Sequence, residues 1–183
     1  RIQNGDPYPD YRLVIMHSCK LFSVYIHVGT LIGSASKIAT EMQSTGRWSG
    51  SIEIKSGEVI ADDSANPNFD YSLFDGSTKL SGFANLDSYA NSEPWKPFTV
   101  DPFEYMTSAV KSSYAAKLTR TAAPLGGKID YDKVGGIVGN WFVKGTNGYA
   151  GQGASANYSN ATGSSKVSRG YWDTHLAIAP HNV

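Results

Sequence analysis

Two closely spaced segments constrain this chain more than anything else in it: Tyr11-Arg-Leu-Val-Ile-Met-His17 and Leu21-Phe-Ser-Val-Tyr-Ile-His27-Val28. Both are rich in β-branched and aromatic residues, which suit a pleated, half-buried surface, and only a short turn separates them. They predict an antiparallel hairpin turning near Cys19-Lys20, with the imidazole of His27 held rigidly near a sheet edge. With that turn centre, the position across from His27 falls near residue 12. The spacing therefore sets His17 and His27 apart rather than facing each other.

Downstream, Gly33 to Met42 carries Ile38, Ala39 and Met42 at helical spacing behind Ser34 and Ser36, and a short helix is expected at about 34–43. Ser51-Ile-Glu-Ile54 alternates apolar and polar residues, the signature of a half-buried strand. Val59-Ile60-Ala61, Phe69 to Phe74, Lys79 to Phe83, Ile137 to Val143 and Tyr171 to Ile178 read as further strands. Asp101-Pro102-Phe103-Glu104 has the order of a helix start: capping acid, first-turn proline, third-position Glu. Phe103, Met106, Val110, Tyr114 and Leu118 follow at helical spacing. They predict one long amphipathic helix over about 102–119 with its stripe in the core. The stretch 145–168, crowded with Gly, Ser, Asn and Ala, reads as a long loop. The expected fold class is mainly β with α (α+β), an antiparallel sandwich or barrel-like sheet carrying those two helices. The 183 residues suit a single β-rich domain with sub-regions 1–84 and 85–183. The abrupt ends suggest a piece of a longer chain.

Composition excludes some functions. Sixteen basic and sixteen acidic side chains leave no formal net charge, and charged residues are only 17 % of the chain. Electrostatic capture of nucleic acid or of an anionic membrane is not expected. No apolar run is long enough for a membrane span. The single cysteine, Cys19, has no intrachain partner for a disulfide and reads as a small buried residue. Abundant Gly, Ser, Asn and Tyr fit a secreted or cell-surface β protein.

Motifs of strong chemistry are missing from the sequence: no HExxH, no CxxC pair, no GxSxG elbow and no phosphate-binding glycine spacing. The histidines are His17, His27, His175 and His181, with Asp173 two residues from His175 on the same strand face. Asn157-Tyr-Ser159 and Asn160-Ala-Thr162 make Asn157 and Asn160 candidate glycosylation acceptors. Four tryptophans, Trp95 and Trp172 foremost among them, together with eleven tyrosines, are candidates for a sugar-stacking surface.

The segments Leu13-Val-Ile-Met-His17, Val24-Tyr-Ile-His27-Val28, Ile54-Lys-Ser-Gly57-Glu-Val-Ile60 and Asn68-Phe69-Asp70-Tyr-Ser-Leu-Phe74 together resemble the duplicated-hybrid-motif domain of lysostaphin-like zinc endopeptidases. The resemblance implies that His27 matches a catalytic histidine, that Asn68 stands in place of a second, and that Asp70 stands at a zinc-binding position. The upstream His-x-x-x-Asp half of the zinc site has no counterpart. No metal is therefore expected, with Asp70 and His17 as weak candidates, and zinc is expected only if the site is active. The reading is a non-catalytic extracellular or cell-envelope β domain with a structural, adhesive or binding role, more plausibly not an enzyme. Its partners would be a protein or glycan surface, or another copy of the chain through edge strands. The alternatives are a hydrolase of cell-wall peptide or glycan using His27, and a carbohydrate-binding module.

Overall fold

The structure, a computed structural model, describes residues 2–3, 6–7, 10–45, 48–63, 68–90, 93–151, 157–159, 166–168 and 174–180. The chain divides into two compact units, Arg1–Ser72 and Leu73–Val183.

The first unit is built on the predicted hairpin. After a minimal antiparallel pair, β1 (Ile2–Gln3) with β2 (Asp6–Pro7), come β3 (Tyr11–Met16) and β4 (Leu21–Val28). Their register sets Met16 opposite Phe22, Val14 opposite Val24 and Leu13 opposite Tyr25. The turn is closed by the His17 N–H donating to Leu21 O at 2.8 Å, and the Ser18 hydroxyl accepts the Lys20 and Leu21 N–H groups. Cys19 lies at this turn and is exposed, not buried as the sequence suggested, because chain reversal turns its side chain to solvent. β5 (Thr30–Leu31) pairs with β6 (Ala61–Asp62), and β7 (Asp70–Asp75) follows β4 in the strand order.

A 3₁₀ turn over Gly33–Ala35 leads into α1 (Ser36–Thr45), where the short helix was expected. Gly33 is required there. Its φ is +58°, and a Cβ would lie 2.7 Å from Val59 O. The core joins Val28, Leu31, Ala35 and Ile38, with Leu13, Tyr25, Met42, Trp48, Ile52 and Ile60 packed around them. Ser51 to Lys55 is not a strand. It alternates exposed and half-buried residues as a strand would, but no ladder forms along it among the described residues.

In the second unit, the end of β7 pairs with β8 (Thr99–Val100), Leu73 facing Val100 and Phe74 facing Thr99. A short α2 (Asp87–Ala90) precedes β8. The long helix expected at 102–119 does not form. In its place stand a 3₁₀ turn, Pro102–Glu104, and the short α3 (Ser108–Ala115). The reason is local. Asp101 caps the first turn by accepting the Phe103 N–H at 3.0 Å, and Thr107 leaves helical geometry (ψ 153°) to cap α3. The stripe is also not core, since Val110, Tyr114 and Leu118 are exposed and α3 buries no residue. A short helix without a buried face gains little from lengthening.

Nor is there a strand at 79–83 among the described elements. Side-chain carboxylates hold this segment instead: Gly82 N–H donates to Asp130 Oδ2 (2.9 Å) and Ala84 N–H to Asp132 Oδ2 (2.8 Å). β9 (Gly139–Phe142) pairs with β12 (His175–Ile178), and β10 (Asn157–Ser159) with β11 (Lys166–Ser168), so the long loop expected at 145–168 contains a hairpin. The architecture is mixed and mainly antiparallel, with short helices and no closed barrel among the described residues. No helix among them is long and apolar enough to cross a membrane.

Because Leu31 is buried in the first core, Leu31→Ala removes packed methyl groups that nothing replaces. Denaturant unfolding should show a loss of about 2–4 kcal/mol for it, against less than about 0.5 kcal/mol for exposed Val14→Ala.

Candidate functional site

Between Tyr11, which faces Val28, and Leu13, which faces Tyr25, the hairpin register slips. Ile26 and His27 together oppose Arg12, which is a β-bulge. His27 takes up the slack with φ 66°, the one non-glycine residue of positive φ among those described. Histidine tolerates this region better than most side chains, and such outliers gather at sites where the surrounding structure over-determines them.

The bulge turns the ring toward two carboxylates. His27 Nδ1–H donates to Asp10 Oδ1 at 3.2 Å, and Nε2 lies 3.8 Å from Asp70 Oδ2. Asp10 and His27 are largely sheltered, while the Asp70 side chain is 65 % exposed. Asp70, which the resemblance sets at a zinc-binding position, is thus brought beside His27. Asp10, by contrast, was missed. It sits in a turn-rich lead-in, and only the bulge opposite Arg12 makes it a neighbour. The two carboxylates address opposite ring nitrogens, so they cannot converge with the imidazole on a single cation. No group of three or more His, Cys, Asp or Glu side chains able to hold a metal occurs among the described residues.

His17, the other weak metal candidate, pairs with Ser23, with Nε2 and Oγ 2.9 Å apart. Ser23 has no accessible surface, so this pair braces the hairpin and cannot offer a hydroxyl to a substrate. Asn68 is exposed and lies outside the His27 contacts given above.

A cleft of about 660 Å³ opens over the other part of this unit. Leu13, Ile15, Tyr25 and Val28 from the hairpin form one side, with Phe69 beside Tyr25 at a ring separation of 5.8 Å. The segment 54–61 forms the other side. His17 and Asp63 line the cleft, and His27 does not. The acids there already hold backbone. Glu58 accepts the Ser34 and Lys55 N–H groups, each at 3.1 Å, and Asp63 accepts the Gly29 N–H at 3.0 Å.

The second unit holds a separate oriented imidazole. Asn140 Nδ2 donates to Ile129 O and to Asp132 Oδ1, which fixes the amide so that its Oδ1 accepts from His175 Nε2 at 3.0 Å. His175 stacks on Phe142 (4.8 Å) and meets Tyr149 and Tyr89 edge-on. Burial and the nearby Lys96 ammonium hold its pKa below the ordinary 6.5, against the opposing pull of Asp132. Burial, with Asp132 and Tyr131 beside it, pushes the Tyr89 phenol up. Neither Asn140 nor Asp132 was singled out in the sequence. Asp173, expected on the same strand face as His175, lies outside the described residues, as do Asn160, Trp172 and His181. Asn157 falls in β10. Trp95 is half-buried, whereas Trp141 is half exposed, its indole N–H tied to Ile137 O at 2.8 Å.

No protein-family model matches the chain, and no curated protein or solved structure matches it.

Two predictions follow from the two imidazoles. His27→Val places a β-branched residue at positive φ and removes the bond to Asp10. It should cost about 1–2 kcal/mol more in denaturant unfolding than His27→Asn, which tolerates that backbone. For His175, the unfolded chain takes up a proton near the ordinary value and the folded chain only at lower pH. Unfolding therefore absorbs a proton between those values, and stability falls as the pH drops below 6.5. His175→Gln should flatten that slope in urea titrations run at a series of pH values.

Proposed function

We propose that the chain is a non-catalytic β-rich binding domain, of extracellular or cell-envelope type, whose first unit receives an apolar part of its ligand in the cleft between the β3–β4 hairpin and residues 54–61. The observation that carries this reading is how the cleft is furnished. Its floor is apolar, and its carboxylates are spent on backbone amides rather than aimed into the open space. Clefts of this size with an apolar lining and few convergent polar groups suit binding more than proton transfer. An extracellular setting is supported by composition: low charge and abundant Gly, Ser and Asn. Descent from a zinc peptidase scaffold is supported only by the segments around His17, His27, Gly57 and Asp70. A structural or adhesive role fits the same furnishing.

One observation favours a second reading, a hydrolase working through His27. Asp10 orients Nδ1–H, leaving Nε2 directed toward the more exposed Asp70. In that reading His27→Ala abolishes cleavage of a cell-wall peptide or glycan, and unchanged cleavage ends it.

The binding reading is tested by NMR with short alkyl and aromatic alcohols as probes. Shifts should concentrate on the methyl groups of Leu13, Ile15, Val28 and Ile60. Shifts scattered over the surface, or none at all, would remove the cleft as the site.

A further inference from the structure

Residues 51–55, Ser-Ile-Glu-Ile-Lys, carry the alternation of a strand but stand in no ladder among the described residues. The sequence alternates, and so does burial: Ile52 and Ile54 turn inward while Ser51, Glu53 and Lys55 are exposed. Ile52 packs against the first core. Yet no described residue exchanges a backbone hydrogen bond with Ile52, Glu53 or Ile54. A segment alternating in this way, with apolar residues on its inner face and backbone N–H and C=O groups outside any ladder, is a template for another strand.

The charges on this segment select the occupant. Glu53 and Lys55 flank Ile54 symmetrically and lie on the same exposed face. If a second copy of the segment lies antiparallel across a two-fold axis at Ile54, Glu53 of each copy stands opposite Lys55 of the other. One chain thus presents both halves of a reciprocal pair of ion pairs, as an isologous contact requires. The ladder alternation agrees. The Lys55 N–H is already bonded to Glu58 Oε2 and its C=O accepts the Glu58 N–H, so Lys55 has no backbone group to exchange. Ile54 does. Antiparallel ladders alternate hydrogen-bonded pairs with non-bonded pairs whose side chains stand closer. Ile54 facing Ile54 takes the hydrogen-bonded place, and Glu53 facing Lys55 takes the non-bonded one, where cross-strand charges interact best.

The geometry points to self-association of this chain through antiparallel pairing of residues 51–55 in a two-fold dimer. This contact borders the cleft but does not rest on its ligand reading, and its test reads mass rather than ligand.

Sedimentation of the full chain over micromolar to submillimolar concentrations should show a monomer–dimer equilibrium. E53K and K55E, each alone, turn two attractive cross-strand pairs into repulsive ones and should weaken the dimer by about tenfold or more. Mixing E53K with K55E restores opposite charges across the axis and should return association to the wild-type level, as should the double variant E53K/K55E alone. A wild-type chain that stays monomeric at every concentration overturns the proposal. So do single variants that associate like wild type, or a mixture that fails to recover.

Discussion

One irregularity in one hairpin organises the first unit: two residues of β4 answer a single residue of β3 at Arg12. A regular ladder would alternate side chains strictly between faces, and a shift of one residue exchanges the faces. The bulge absorbs that shift within Ile26 and His27. On the turn side of it, Leu13 and Ile15 face the cleft together with Tyr25, and beyond it Val28 keeps to the same face. Val28 thereby joins Leu31, Ala35 and Ile38 in the core, with Leu13 and Tyr25 packed against them. The left-handed backbone at His27 accompanies the frame change, and the Asp10 bond helps hold the ring there. The same feature explains why His27 is distinctive without being placed in the cleft, since its ring leaves the face on which Leu13 and Tyr25 lie.

The hairpin itself was readable from residues 11–28, because β-branched and aromatic alternation is a local signal. So was the short helix after Gly33, where the small polar residues precede Ile38 and Met42. The bulge was not readable. Its cause is a two-against-one count across strands, which no spacing within either strand records. Asp10 went unseen for the same reason. The helix at 102–119 failed differently. Its start signal was genuine, but it belonged to a 3₁₀ turn, and Thr107 supplied a second start a few residues on. Periodicity of Met106, Val110, Tyr114 and Leu118 described a stripe. Whether a partner surface covers a stripe is tertiary information, and here three of those residues remain exposed.

The His27 neighbourhood was partly legible through Asp70, and the His175 neighbourhood hardly at all. His175 depends on Asn140, which lies thirty-five residues away and is oriented in turn by Asp132 and the Ile129 carbonyl. Asn140 falls within an apolar run, Ile-Val-Gly-Asn-Trp-Phe-Val, where a single polar residue reads as the outward face of a strand. In the structure it points inward with Phe142, and Trp141 takes the outward place opposite Leu176.

A common physical reason lies behind the way the described carboxylates are used. Strands here are short, so many backbone N–H groups lie outside any ladder and need another acceptor. Carboxylates supply it. Asp63 takes Gly29, Glu58 takes Ser34 and Lys55, Asp101 takes Phe103 and Gly126, Asp130 takes Gly82, and Asp132 takes Ala84 and Asn140. An acid committed to one or two amides is poorly placed to ligate a cation or to shuttle a proton, because either task would strip the loop of its acceptor. His27, by contrast, meets its two carboxylates, Asp10 and Asp70, through opposite ring nitrogens. The sheltered Asp10 and the exposed Asp70 thus act on the imidazole as a clasp acts on a hinge pin, one from each ring nitrogen.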